Sequence, residues 1–386
     1  MLCIKNGTIF TVAQEEPFVG DILVKDGKIH KIGENLAGEA TEVVDATGKF
    51  VFPGLVDCHS HLGLDGYAVR FESQDFNEIT DSLTPHMRAI DAFYPQDRTV
   101  NMAAMGGVTT VATGPGSANV LGGTFMVVKT DGDRVDDMVI KTDVSMKCAF
   151  GENPKFCHQS KDNFTRMATA AKLRTILNKT KQYIAKKAAA GDDVSKMPNY
   201  DEKLEALIPV VEGRMPLKAH AHRTDDILTA LRIRDEFGIK MTIEHCTDGH
   251  LIPHHLKAAG APLAIGPTFG HATKYELKNK SFKTPGILQR AGCLVSIITD
   301  APVIPQQFLG LCAGLAVKSG MDKYEALKAI TINPAKHLGV DDRIGTLEVG
   351  KDADIIITDG CVMDYATHVL STYINGKLVE RKEEIC

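Results

Sequence analysis

Asp57-Cys58-His59-Ser60-His61 closes the apolar run from Phe50 to Val56. Such a run beside a glycine reads as a buried strand. Residues two apart on an extended chain point to one side, so both imidazoles reach one metal ion from a strand end. Cys58 points the other way and reads as a packed thiol. Further imidazoles and carboxylates recur at the ends of later apolar runs: Glu152, His220, His245 and Asp300. Six nitrogen and oxygen donors from five strand ends suit one or two divalent ions. Zn2+ fits such a set, with Mn2+, Fe2+ or Co2+ as alternatives.

The elements that must position them alternate. Strands are expected at Val108–Thr113, Val144–Phe150, Leu217–His222, Lys240–Cys246, Ala261–Pro267 and Cys293–Asp300, with helical texture between them, as at 99–105 and 225–236. Strands alternating with helices mean parallel β/α units, and residues 54–343 hold enough of them for a (β/α)8 TIM-type barrel. An open doubly wound sheet is the other α/β arrangement. Barrel strands bring their C-terminal ends to one face, so the six donors would meet there. Residues 1–53 and 344–386 have β texture and are expected to pair as one small β-sandwich. Asn6-Gly7 and Asp26-Gly27 lie between apolar runs and predict hairpin turns. The glycine-rich stretch 114–123 fits no phosphate-binding fingerprint and is read as close backbone approach. The basic stretch 162–190 predicts a long helix, either a solvated face or a lid.

Composition narrows the functional classes. The 386 residues are 44% apolar and 24% charged, with net charge −5. No basic stripe supports nucleic-acid binding, and no apolar run is long enough for a membrane span. The first residues lack a signal-peptide pattern, and nine scattered cysteines without CxxC pairs read as free thiols. A cytoplasmic enzyme with a small-molecule substrate is expected, and a homo-oligomer is compatible with the sequence.

The chain resembles the metal-dependent amidohydrolase superfamily, nearest to its imidazolonepropionase-like and prolidase-like members. The resemblance is carried by 52–61, Ile243-Glu244-His245, Thr299-Asp300, 331–335 and 344–354. It implies a distorted (β/α)8 barrel with a sandwich from both termini. It also implies that His59 and His61 are the metal pair of the first barrel strand, with His220 and His245 the ligands of the fifth and sixth. Asp300 would be the eighth-strand aspartate, binding metal and acting as general base. The bridging position on the fourth strand is taken by Glu152 or by a carboxylated Lys147, with Glu152 preferred because it sits at the strand end.

The implied chemistry is hydrolysis of an amide or cyclic amide. The metal activates a water, and Asp300 takes its proton and delivers it to the leaving nitrogen. His222, His271 and Arg223 are candidate substrate contacts. A deaminase of this superfamily would carry His-x-x-Glu where this chain has His220-Ala221-His222-Arg223, which counts against deamination. A non-catalytic scaffold would have lost ligands that this chain keeps. N-acyl amino acids, dipeptides and lactams such as an imidazolone all fit.

Overall fold

The computed structural model describes residues 1–68 and 71–380. Residues 69 and 70, within the expected substrate loops, and 381–386 of the terminal unit lie outside them. The chain builds two eight-stranded sheets. The first takes β1 (Leu2–Ile9), β2 (Phe18–Lys25), β3 (Lys28–Gly33), β4 (Glu42–Asp45) and β5 (Phe50–Pro53) from the N-terminal part. The second contains β6 (Leu55–Ser60), β7 (Val108–Thr113), β8 (Leu121–Lys129), β9 (Val139–Ala149), β10 (Leu217–Ala221), β11 (Met241–His245), β12 (Leu263–Ile265) and β13 (Val295–Ile297). β14 (Ile355–Thr358), β15 (Val369–Ile374) and β16 (Lys377–Leu378) return to the first sheet, where β14 lies antiparallel to β5.

Asp26-Gly27 is the expected hairpin turn, with positive φ at both residues. Asn6-Gly7 is not. It forms a bulge inside the continuous β1, where the register with β2 shifts between Ile4 and Gly7. The bulge divides β1, so that β4 pairs with its first half and β5 with its last residues. A Cβ on Gly7 would lie 2.5 Å from Val51, so only glycine allows β5 this close. Between β5 and β6 the chain crosses from one sheet to the other at Gly54. A Cβ there would meet the Thr109 hydroxyl at 2.1 Å.

The second sheet is a nearly closed barrel in the order β13-β12-β11-β10-β9-β8-β7-β6. Its open seam is bridged by the carbonyls of Ala329 and Ile330, which accept from Ile297 (2.8 Å) and Val56 (2.9 Å). One strand departs from the parallel expectation: β8 runs antiparallel to both β7 and β9. The connection 114–120 explains it, since a parallel pair needs a crossover of a dozen or more residues. Gly122-Gly123 therefore belongs to β8 rather than to a loop.

The basic stretch forms a helix over Arg166–Ala190, capped by the Thr165 hydroxyl at Ala168 N–H (3.1 Å). Leu173, Ile176 and Leu177 are buried against the barrel and against helix Glu202–Val211. It is a packed outer helix, not a lid. Eight cysteines among the described residues are free thiols, and Cys58 is fully buried. No described helix is long and apolar enough to cross a membrane.

Candidate metal centre

The C-terminal ends of the barrel strands gather a buried cluster of imidazoles. Asp57 fixes the end of β6 to the segment after β13. Its Oδ1 accepts from His59 N–H (3.0 Å), and its Oδ2 accepts from Thr299 N–H (2.9 Å), Thr299 Oγ1 (2.7 Å) and Gln306 Nε2 (2.6 Å). Full burial pushes its carboxyl up to about 6 against those bonds.

His59 and His61 point inward, as alternation requires. His61 Nδ1 faces the Gly114 carbonyl at 2.7 Å, and His59 Nδ1 faces Glu244 Oε2 at 2.8 Å. Each bond holds the proton on Nδ1 and leaves Nε2 as a donor to a metal. Both Nε2 atoms approach Asp300 Oδ1, at 3.4 Å from His61 and 3.6 Å from His59. His245 Nδ1 is tied to the Gly266 carbonyl (2.8 Å) and His222 Nδ1 to Thr247 Oγ1 (2.8 Å).

His245, Cys246 and Asp300 all have left-handed backbones, with φ of 68°, 47° and 54°. Such conformations are unfavourable for these residues and re-aim side chains at the strand ends. Burial keeps His59, His220 and His222 neutral far below the usual imidazole range and brings His245 down to about 4. Burial acts to raise Asp300, but His245, His61 and His59 around it hold its carboxyl well below the ordinary range.

The cluster fits divalent ions by its own chemistry. The Nε2 atoms of His220, His222 and His245 and the Oδ1 of Asp300 are buried without hydrogen-bond partners among the described residues. Two groups have donor atoms mutually within 4.8 Å: His220 with His222 and His245, and His59 with His245 and Asp300. Orphaned buried donors of this kind cost stability unless something binds them.

Of the two bridging candidates, the structure brings Lys147 to the cluster. Its Nζ lies 3.1 Å from His59 Nε2. Burial lowers its amine to about 8, opposed by the charges of Asp300 and Glu244. Glu152 instead starts the helix Glu152–His158. Its backbone N–H donates to Glu276 (2.9 Å), and its half-buried carboxylate makes no bond among the described residues.

Arg223 lies at the start of helix Thr224–Phe237 and forks onto Asp225 (3.0 and 2.9 Å). His271 is exposed, and its carbonyl accepts from Lys280 (3.1 Å). Among the described residues neither is bonded to the imidazoles.

Sequence reasoning missed four inward groups. Glu244 accepts from His59 and from Thr242 Oγ1 (2.5 Å), pairs with Lys218 (2.8 Å), and faces His337 Nε2 at 3.3 Å. Lys218 is level with Lys147 across the β9–β10 pair, and both ammonium groups flank the Phe125 ring. The fourth is Glu276, almost fully buried. Its Oε1 stands 3.7 Å from His222 Nε2 and 3.9 Å from His220 Nε2. A cleft of about 750 Å³ opens beside His61, walled by Phe76, Asn77, Met87, Arg88 and Pro115.

A family model described as the amidohydrolase family matches residues 50–379. The crystal structure of an amidohydrolase from Thermotoga maritima MSB8 is 41% identical, with a TM-score of 0.95 over 99% of this chain and 100% of that one. An amidohydrolase of Hapsidospora irregularis is 29% identical over 93% of this chain, which spans 40% of that relative's length. An imidazolonepropionase of Streptococcus sanguinis is 24% identical over 93% of this chain and 90% of its own.

Proposed function

The chain belongs to the amidohydrolase family, hydrolases of carbon–nitrogen bonds, and on that premise we propose that it is a metal-dependent amidohydrolase using Asp300 as proton carrier. The observation that supports this best is the convergence of orphaned donors, the Nε2 atoms of His220, His222 and His245 with Asp300 Oδ1. On this reading residues 54–343 form the catalytic unit, and 1–53 with 344–386 the accessory one.

His59, His61 and Asp300 would hold one ion, and His220 with His245 the other. Lys147 takes the bridging position in preference to Glu152. Its neutral amine would add to CO2, forming an N–C bond as an N–H bond breaks and the proton leaves to solvent, and the carbamate would supply oxygen donors to the centre. Zinc suits the nitrogen-rich set. When bound, such ions supply Lewis acidity that acidifies water and polarises an amide carbonyl.

The rest falls to side chains of this chain. Asp300 is ionised at neutral pH because the imidazoles hold its carboxyl low. Its carboxylate accepts the proton of the attacking water and passes it to the nitrogen as the C–N bond breaks. The remote part of the substrate lies in the cleft beside His61 and Phe76.

A hydrolysis screen of N-acyl amino acids, dipeptides and lactams with zinc-loaded protein tests the proposal. His245→Ala and Asp300→Asn should each abolish the activity found. Retained turnover in either variant would overturn the assignment of the centre.

A further inference from the structure

We infer that the second ion of this centre is held by three imidazoles and one carboxylate, those of His220, His222, His245 and Glu276. His222 is then a metal ligand rather than a substrate contact. Glu276, delivered by the loop after β12, is the carboxylate donor on that side. The inference rests on the proposed function only in taking a divalent ion to be bound.

Three buried nitrogens, the Nε2 atoms of His220, His222 and His245, lack hydrogen-bond partners among the described residues and face Glu276 Oε1. The three Nε2-bearing side chains form a mutual group within 4.8 Å. Glu276 Oε1 stands 3.7 Å from His222 and 3.9 Å from His220. Donors around a tetrahedral zinc, at bond lengths of about 2.0–2.2 Å, sit only slightly closer than this.

Three of the four groups have their other polar atom tied down. His222 Nδ1 is bonded to Thr247 Oγ1 (2.8 Å), His245 Nδ1 to the Gly266 carbonyl (2.8 Å), and Glu276 Oε2 to the Glu152 N–H (2.9 Å). Outer bonds of this kind aim ligands at a metal. They come from three separate segments, so the aim is a property of the assembled barrel face. Lys274 Nζ also contacts Glu276 Oε1 (2.8 Å) and donates to Asn153 Oδ1 (2.9 Å). A carboxylate oxygen has lone pairs for an ammonium and an ion together. Lys274 therefore neutralises the buried carboxylate.

Chelator-stripped protein titrated with zinc, with bound metal counted by elemental analysis, tests this. Wild type should bind two equivalents. His222→Asn and Glu276→Gln should each lose one and keep the one that His61→Asn loses. Thr247→Val removes no ligand, only the bond that aims His222, and should weaken only the second equivalent, by about tenfold. It carries the decision if the ligand variants do not fold, and unchanged affinity there would then overturn the inference.

Two equivalents with unchanged affinity in both His222→Asn and Glu276→Gln overturn it, while the proposed function stands. A wild type that binds a single ion, lost in His222→Asn and Glu276→Gln but kept in His61→Asn, sustains it while the two-ion reading fails. A single ion lost only in His61→Asn, or no ion at all, overturns it.

Discussion

Glu244 Oε2 lies 2.8 Å from His59 Nδ1, and the same oxygen pairs with the Lys218 ammonium at 2.8 Å. One carboxylate thus fixes the tautomer of a proposed ligand while a buried lysine balances its charge. Lys218 and His337 hold Glu244 ionised well below the usual carboxylate range even though burial opposes them.

Glu244→Gln should therefore have two separable effects. Zinc affinity at the His59 site should fall about 10–100-fold, because the orienting bond weakens. Stability should fall by about 3–5 kcal/mol, because Lys218 is left charged and buried without its partner. The double variant with Lys218→Met should recover most of the stability and none of the affinity. Urea unfolding and zinc titration of the three variants would separate the effects.

Lys147 carries a prediction about pH. Burial lowers its amine from an ordinary value of 10.5 to about 8 in the folded protein. Between those values the folded state binds fewer protons than the unfolded one, so this group's contribution to stability grows as pH rises through the window. It is lost as pH falls through about 8. In metal-free, CO2-free buffer the wild type should gain stability relative to Lys147→Met across that range. Parallel denaturation midpoints would show a flat difference if the lysine titrated normally. With zinc and bicarbonate, Lys147→Met should lose turnover, and a small carboxylic acid should restore part of it.

How far these groups were legible depends on distance along the chain. His59 and His61 are readable because alternation acts over two residues. Lys218 offered the same signal, sharing its parity with His220 on β10 and with His222 just beyond it, and only its charge made an inward position look improbable. Glu244 and His245 break the rule. Adjacent residues on a strand face opposite sides, yet both point inward because His245 turns left-handed at φ 68°. Nothing local announces that turn. Glu276 sits in the polar loop Lys274-Tyr275-Glu276-Leu277-Lys278, and only tertiary packing carries it to the histidines. The reversal of β8 was readable in principle from the short connection 114–120. The strand itself resembles any buried one, since both of its faces are covered.

Arg223 separates a surface role from a substrate role. Its guanidinium already forks onto Asp225, and its side chain is one-third exposed, at 33%. Arg223→Ala should leave kcat/KM unchanged for every substrate of the screen, and stability should change by no more than about 0.5 kcal/mol. A tenfold rise in KM confined to carboxylate-bearing substrates would restore it to the site.

The last prediction concerns what holds the barrel to the terminal sheet. Lys129, at the end of β8, is buried and pairs with Asp354 and with Asp352 (3.2 Å). Asp354 belongs to the terminal sheet: its Oδ1 accepts from Asn375 N–H (3.0 Å), and its carbonyl accepts from Gly54 N–H (2.9 Å) where the chain crosses between sheets. Asp352 has further cations in Lys28 (2.6 Å) and Arg343 (2.9 Å), whereas Lys129 is the cation that Asp354 pairs with. Lys129→Met leaves Asp354 buried and uncompensated, so it should cost about 3–5 kcal/mol, while Asp354→Asn with Lys129→Met should cost clearly less. The coupling energy from urea midpoints of the single and double variants measures this. A coupling near zero would mean that apolar packing between Phe52, Ile356 and the barrel core, rather than the ion pair, holds the sheets in register.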